Sequence, residues 1–266
     1  MKKIFLALLL ILSLDVAAQW NNSWIDYSKT YYKFQLAADT LTRIPQSVLA
    51  GLGLDAVNAD HFQLWRNGQQ VRLYTSVSGT ALPGGGFIEF WGEKNDGKPD
   101  KILYRNPDFQ LADKYSLIYD TASYFLTVNP AGNNLRFTDE ANGTPANPTP
   151  DAFFMRKIVV NFRNNLNRGW AHDAGEYVYS ASFDPGEGWT SSNITSAGSL
   201  AQSLTNLNQY IAGPPNSLTV WANIAGNAPN IRNVRVRLNA NVITEVPIAG
   251  FNYNKIVMPD LPLSLL

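Results

Sequence analysis

The chain has 266 residues, 45% of them hydrophobic and 12% aromatic, with 21 basic side chains against 21 acidic ones and no cysteine. That is enough apolar residue for one large or two modest cores. The neutral balance, with an isoelectric point near 6.7, argues against a nucleic-acid partner, which demands a basic face. The missing thiol excludes disulfides, a cysteine nucleophile and thiolate metal ligation within this sequence.

Residues 1–18 read as an export signal: Lys2 and Lys3 start it, Ile4 to Leu14 is its apolar stretch, and Val16-Ala17-Ala18 supplies the small residues of a cleavage site. The apolar run is shorter than the roughly 20 residues that span a bilayer, so no transmembrane segment is expected. Gln19 is the expected mature terminus, and the expected location is the periplasm, the outer-membrane surface or the exterior.

Strand signals then dominate. "TYYKFQLAADTLTRI" reads as two strands around Ala38-Asp39, and "PQSVLAGLGLDAV" as one short helix with Pro45 first and Val48, Leu49 and Leu52 on one side. "FQLWRNGQQVRLYT" is a hairpin turning at Asn67-Gly68, the type I′ dipeptide. Pairing Arg66 with Gln69 sets Leu64 opposite Val71, Phe62 opposite Leu73 and Gln63 opposite Arg72, one face apolar and the other polar. "FIEFW" and "KILY" are expected as strands, and "KYSLIYDTASYFLTV" supplies at least one more.

"ANGTPANPTP" carries three prolines and no apolar period, and marks a linker. Beyond it, "FFMRKIVVNF", "GEYVYSASF", "SLTVWANIAG", "NVRVRLNANVITEVPI" and "YNKIVMPDLPLSLL" are short strand runs separated by Gly, Pro and Asn, the pattern of a β-sandwich. "SLAQSLTNLNQYI" fits a helix by its leucine spacing and a strand or irregular edge by its composition. The expected organisation is mainly β: a β-rich domain over 19–140 holding the short helix, a linker over 141–151, and a jelly-roll-like β-sandwich over 152–266. The apolar ending "MPDLPLSLL" suggests that this last domain is truncated.

"FWGEKNDGKPDKILY" is the stretch that looks most like a site, with Asn95, Asp96 and Asp100 as candidate calcium ligands. An EF-hand loop needs oxygen ligands at positions 1, 3 and 5, glycine at 6 and glutamate at 12. With Gly97 at position 6, Asp96 takes position 5, but Lys94, Gly92 and Leu103 fall at 3, 1 and 12. The reading favoured here is an Asn-Asp-Gly bend stiffened by Pro99, with an irregular calcium site as its alternative and no other cofactor expected.

"GWAHDAGEYVYSASFDPGEGW" gathers His172, Asp173, Glu176, Asp184 and Glu187. Histidine with carboxylates could bind metal, and a carboxylate pair could serve a glycosidase. The spacing matches no zinc-peptidase pattern, and carboxylates beside Gly and Pro are commonly turn residues. Trp170, Tyr177, Tyr179, Trp189 and Trp221 could line a sugar groove or fill a core. The glycines of "LPGGGF" lack the lysine and helix of a phosphate loop. His61 and His172 are the only histidines, in different expected domains, and assemble no serine triad.

In order along the chain, "SWIDYSKTYYKFQLAADTLTRIPQSVLAGLGL", "FQLWRNGQQV", "GGGFIEFWGEKNDGKPDKILY" and "KYSLIYDTASYFLTV" together resemble the N-terminal region of gingipain-like cysteine peptidases of Bacteroidota, closest to the type IX secretion sortase group. "DPGEGW" and "VRVRLNANVI" leading to "MPDLPLSLL" resemble that group's second β-domain. The resemblance implies non-catalytic β-domains that support or regulate a caspase-like peptidase domain further along the polypeptide, and the secretion machinery as a partner. In that family a cysteine and a histidine perform the chemistry. This sequence has no cysteine, and neither histidine matches the catalytic motif, so no catalytic residue is carried over. A secreted carbohydrate-binding or adhesive β-sandwich module is the alternative.

Overall fold

A computed structural model describes residues 22–141, 143, 149–173, 175–178, 183–196 and 198–266, the side chains of 171–173 and 177 excepted. The fold is mainly β, built from antiparallel sheets, as the composition implies. The export-signal reading over 1–18 lies outside the described residues. So does most of the linker.

The chain divides into two compact units, one formed by residues up to Gly92 together with Ala122–Asp139, the other by Glu93–Thr121 with Glu140–Leu266. Contiguous domains were expected on either side of 141–151. Instead Glu93–Thr121, an excursion between two strands of the first unit, belongs to the second.

The first unit contains β1 (Tyr32–Leu36), β2 (Thr40–Pro45), α1 (Gln46–Gly51), β3 (Phe62–Arg66), β4 (Gln69–Val71), β5 (Tyr74–Thr75), β6 (Phe87–Gly92) and β7 (Ala122–Val128). One sheet runs in the order β1-β7-β3-β4 and the other β2-β6-β5. β1 and β2 are neighbours in sequence yet enter different sheets, because their partners, β7 and β6, lie far along the chain. Both sheets turn apolar residues inward: Phe62, Leu64, Tyr124 and Leu126 from one, Ile88 and Phe90 from the other, with Leu49 of α1. Phe90 bridges the layers, its ring 6.0 Å from Phe34 and 5.4 Å from Tyr124. Burying such side chains yields about 1.5–3 kcal/mol each. The first unit is thus a sandwich around one core.

The hairpin forms with Leu64 opposite Val71 and Arg66 opposite Gln69. It is shorter than expected. Phe62 and Gln63 pair with Val128 and Thr127, and Leu73 leaves the hairpin to bridge Arg136. β4 ends because Leu73 turns away, its amide donating to the Leu135 carbonyl at 3.1 Å and its carbonyl accepting from the Phe137 amide at 2.9 Å, while β7 pairs with the opposite edge of β3. α1 is also shorter: Pro45 is its N-cap rather than its first helical residue. Leu49 alone is buried, whereas Val48 and Leu52 are exposed.

The second unit contains β8 (Asn165–Asn167), β9 (Ala171–Asp173), β10 (Glu176–Val178), β11 (Gly188–Thr190), β12 (Leu218–Ala225), β13 (Arg232–Leu238), β14 (Asn241–Ile248) and β15 (Tyr253–Leu261). They form four two-stranded ladders, β8 with β11, β9 with β10, β12 with β15 and β13 with β14, where a sandwich would join them into two sheets. "FFMRKIVVNF" alternates like a strand but joins no ladder among the described residues, and "SLAQSLTNLNQYI" is irregular. Alternation describes which faces a strand could bury; a strand also needs a partner edge. "KILY" is not a strand either. Lys98–Leu103 is a 3-10 helix with Pro99 in its first turn, and the Asp100 amide donates to the Gly97 carbonyl at 3.0 Å.

The turn residues Asn67 and Gly68 both take positive φ, 48° and 74°. A Cβ at Gly68 would lie 3.3 Å from Cδ1 of Trp24. Gly68→Val is therefore expected to cost about 1–2 kcal/mol, since a β-branched residue resists this backbone and meets the indole. Urea unfolding reads this directly. A variant as stable as the parent would contradict the turn geometry.

Candidate functional site

The second unit contains the densest set of buried polar groups among the described residues: Asn95, Asp100, Gln110, Ser116, Asp184 and Glu187. Four of these come from the excursion between β6 and β7 that carries the calcium candidates. Gly97 adopts φ 86°, and a Cβ there would lie 2.5 Å from the Tyr115 carbonyl oxygen. Only glycine lets the two segments approach this closely.

Each calcium candidate already has protein partners. Asn95 accepts from the Gly97 amide at 3.2 Å and donates its side-chain amide to the Tyr119 carbonyl at 2.9 Å. Asp96 accepts from the Lys98 amide at 3.1 Å and pairs with the Lys98 ammonium. Partial burial would raise the Asp96 carboxyl, but the hydrogen bonds from Lys98 hold it below the ordinary aspartate value. Asp100, almost fully buried, accepts from Ser116 Oγ and the Leu117 amide, both at 2.8 Å, through one oxygen. Gln110 closes the bend by donating to the Gly97 carbonyl at 2.7 Å. Three carboxylate and amide groups thus fold inward onto neighbouring backbone and do not converge on a common point. Among the described residues no group of three or more His, Asp or Glu side chains is placed to hold a metal ion.

The bend is braced from the rest of its unit. Trp189 of β11 donates its indole N–H to the Ser116 carbonyl at 2.9 Å. Arg163 pairs with Asp120 and lies over the rings of Tyr115 and Trp189 at 5.2 and 4.9 Å. The Tyr104 hydroxyl donates to the Glu187 carbonyl at 2.8 Å. Burial pushes that hydroxyl's titration upward, reinforced by the charges of Glu187 and Asp100.

Asp184 and Glu187 are turn residues, as carboxylates beside Gly and Pro commonly are. They bound an Asp-Pro-Gly-Glu turn closed by the Glu187 amide on the Asp184 carbonyl at 3.1 Å, with Gly186 at φ 75°. The Glu187 carboxylate folds back to accept from the Asp184 amide at 3.1 Å. Burial raises Glu187 above the ordinary glutamate value, with Asp184's charge adding to it and amide hydrogen bonds from Asp184 and Phe183 opposing. Asp184, 1% exposed, faces Arg105 Nε at 3.3 Å. A glycosidase pair must flank a sugar from opposite sides; here both carboxylates are buried in their own turn.

The other candidates whose side chains are described are not gathered into one site. The β9–β10 ladder pairs Asp173 with Glu176 and His172 with Tyr177. The side chains of His172, Asp173 and Tyr177, and the whole of Tyr179, lie outside the described residues. Glu176 is exposed and His61 half-buried. Trp170 stacks on Phe251 with centroids 4.7 Å apart, Trp189 is committed to the bend, and Trp221 stands exposed on β12 with the Lys157 ammonium 5.5 Å from its ring. Ser116, Gln110 and Tyr104 escaped the sequence reading because single polar residues in a run of mixed composition carry no periodic signal.

No family model matches the chain, and neither a curated protein nor a solved structure does.

Two outcomes follow. Millimolar calcium and a chelator should leave the thermal midpoint equal, whereas a tight site would add about 2.7 kcal/mol at a hundredfold excess over its dissociation constant. A calcium-dependent rise would contradict the bend. Glu187 favours its protonated form on folding. Its contribution is fully present below the ordinary glutamate value and is lost as pH rises through the higher folded value. Glu187→Gln, which keeps an acceptor for the Asp184 amide, should therefore melt above the parent at pH 7, and the gap should close in acid. A variant less stable at pH 7 would show that the charge itself is required.

Proposed function

We propose that this chain forms non-catalytic β-rich modules of an exported gingipain-like cysteine peptidase of the type IX secretion sortase group. Their role is to support or regulate a caspase-like domain carried elsewhere in the same polypeptide. The observation that carries this reading is the ordered series of four segments from "SWIDYSKTYYKF" to "KYSLIYDTASYFLTV", continued by "DPGEGW" and "VRVRLNANVI". Two features support it. The sequence holds no thiol for the family's chemistry, and the buried carboxylates of Asp100 and Glu187 accept internal hydrogen bonds while that of Asp184 faces Arg105.

On this reading the amino-terminal signal delivers the protein to the periplasm or beyond, where the secretion machinery is a partner. No helix of the described residues is long and apolar enough to cross a membrane. The peptidase domain would dock on these modules.

The parental reading frame tests this. Sequencing past the codon for Leu266 should reveal further coding sequence with a histidine and a cysteine in a caspase-like α/β pattern. A stop codon at that point, confirmed by the intact mass of the natural protein, would contradict the proposal.

A further inference from the structure

The two sheets of the first unit treat their outer faces differently. On the β1-β7-β3-β4 sheet, Trp65 and Phe125 are covered by Trp24, whose ring lies 5.4 Å from each. Tyr31 closes edge-on against that indole at 5.7 Å. Beneath this cover Gln63 and Thr127 are buried and satisfied, Gln63 by the Trp65 indole N–H and Thr127 by the Thr30 carbonyl.

The outer face of β2-β6-β5 has no such cover among the described residues. Along β6, Ile88 and Phe90 point into the core, so Phe87, Glu89 and Trp91 point out. Register places Leu41 opposite Trp91, Arg43 opposite Glu89, and Tyr74 on the other side of Glu89. Trp91 is 52% exposed and Tyr74 42%. They are diagonal neighbours on the sheet, which puts their backbones about 7–8 Å apart.

The polar groups of this face are held in place. The Arg43 guanidinium lies 3.7 Å from the centroid of Phe87. Its Nε and one terminal nitrogen, Nη2, donate to the same Glu89 oxygen, Oε2, at 2.9 and 2.7 Å. Stacking and ion pairing fix both planes. Arg43 Nη1 and Glu89 Oε1 are left without a protein partner among the described residues. The face therefore carries an unused guanidinium N–H group and an unused carboxylate oxygen, no net charge, and exposed aromatic rings at Trp91 and Tyr74.

We propose that this face is a binding platform for a neutral glycan, with pyranose rings lying on Trp91 and Tyr74 and vicinal hydroxyls bridging Arg43 Nη1 and Glu89 Oε1. A pyranose has an apolar C–H face, which suits the electron-rich face of an indole or phenol. Its hydroxyl rim both donates and accepts, matching what the ion pair leaves open. A neutral ligand suits a face whose charges cancel. The inference is independent of the peptidase reading.

The test is affinity electrophoresis of the full chain through native gels containing soluble β-glucan, xyloglucan, galactomannan or glycogen. At least one should retard the parent. Trp91→Ala and Arg43→Gln should each weaken that retardation by about tenfold, the scale of one lost ring contact, while circular dichroism and the thermal midpoint stay at parental values. Three results would overturn the proposal: no retardation by any of the four, equal retardation of parent and both variants, or a parental self-association in sedimentation that Trp91→Ala abolishes, which would make the face a protein contact.

Discussion

Phe90 is the residue through which the first unit holds together. Its ring meets Phe34 of β1 and Tyr124 of β7 across the gap between the sheets, and Phe34 stacks on Tyr124 at 5.6 Å. With no disulfide available to this chain, the two layers are joined by apolar packing. The constraint propagates along the strands. Because successive side chains alternate, fixing Phe90 inward fixes Ile88 inward and forces Phe87, Glu89 and Trp91 outward. The exposed aromatic face is a geometric consequence of the core.

A different economy governs the second unit. Its ladders are short, and much of its order around the excursion comes from hydrogen bonds between buried polar groups and backbone. Asp100 holding Ser116 and Leu117, Gln110 holding Gly97, and Trp189 holding Ser116 form a linked set. The Asp100 bonds, made to a carboxylate, contribute about 1.5–3 kcal/mol each and the neutral ones about 0.5–1.5, and removing one partner leaves a buried group unsatisfied. Residues that resemble a metal loop in sequence act here as fasteners, because a carboxylate that binds backbone amides and a carboxylate that binds calcium have the same local composition.

What could be read from the sequence was local. The Asn67-Gly68 turn and its first pairs, and the strands of "TYYKFQLAADTLTRI", "FIEFW", "SLTVWANIAG" and "NVRVRLNANVITEVPI", follow from alternation and turn chemistry within a few residues. Pairings across long separations did not. Nothing in β1 or β2 announces that one will join β7 and the other β6. Likewise the grouping of Glu93–Thr121 with later residues depends on contacts such as Tyr104 with Glu187, which no period encodes. "KILY" was misread because Pro99 and the Asp100 amide close a 3-10 turn at shorter range than any strand partner. The outer aromatic face did leave a trace: "FIEFW" carries large apolar residues on both faces, which a strand buried on one side does not need.

We propose that this chain binds and supports but does no covalent chemistry of its own. The most direct measurement is peptide and glycan turnover by the purified full chain, with thiol present, against broad substrate libraries, run beside Asp184→Asn and Glu187→Gln. The account predicts no turnover above that of a mock purification in any of the three. Turnover by the parent that disappears in either variant would contradict it, because the buried carboxylates would then be a catalytic pair.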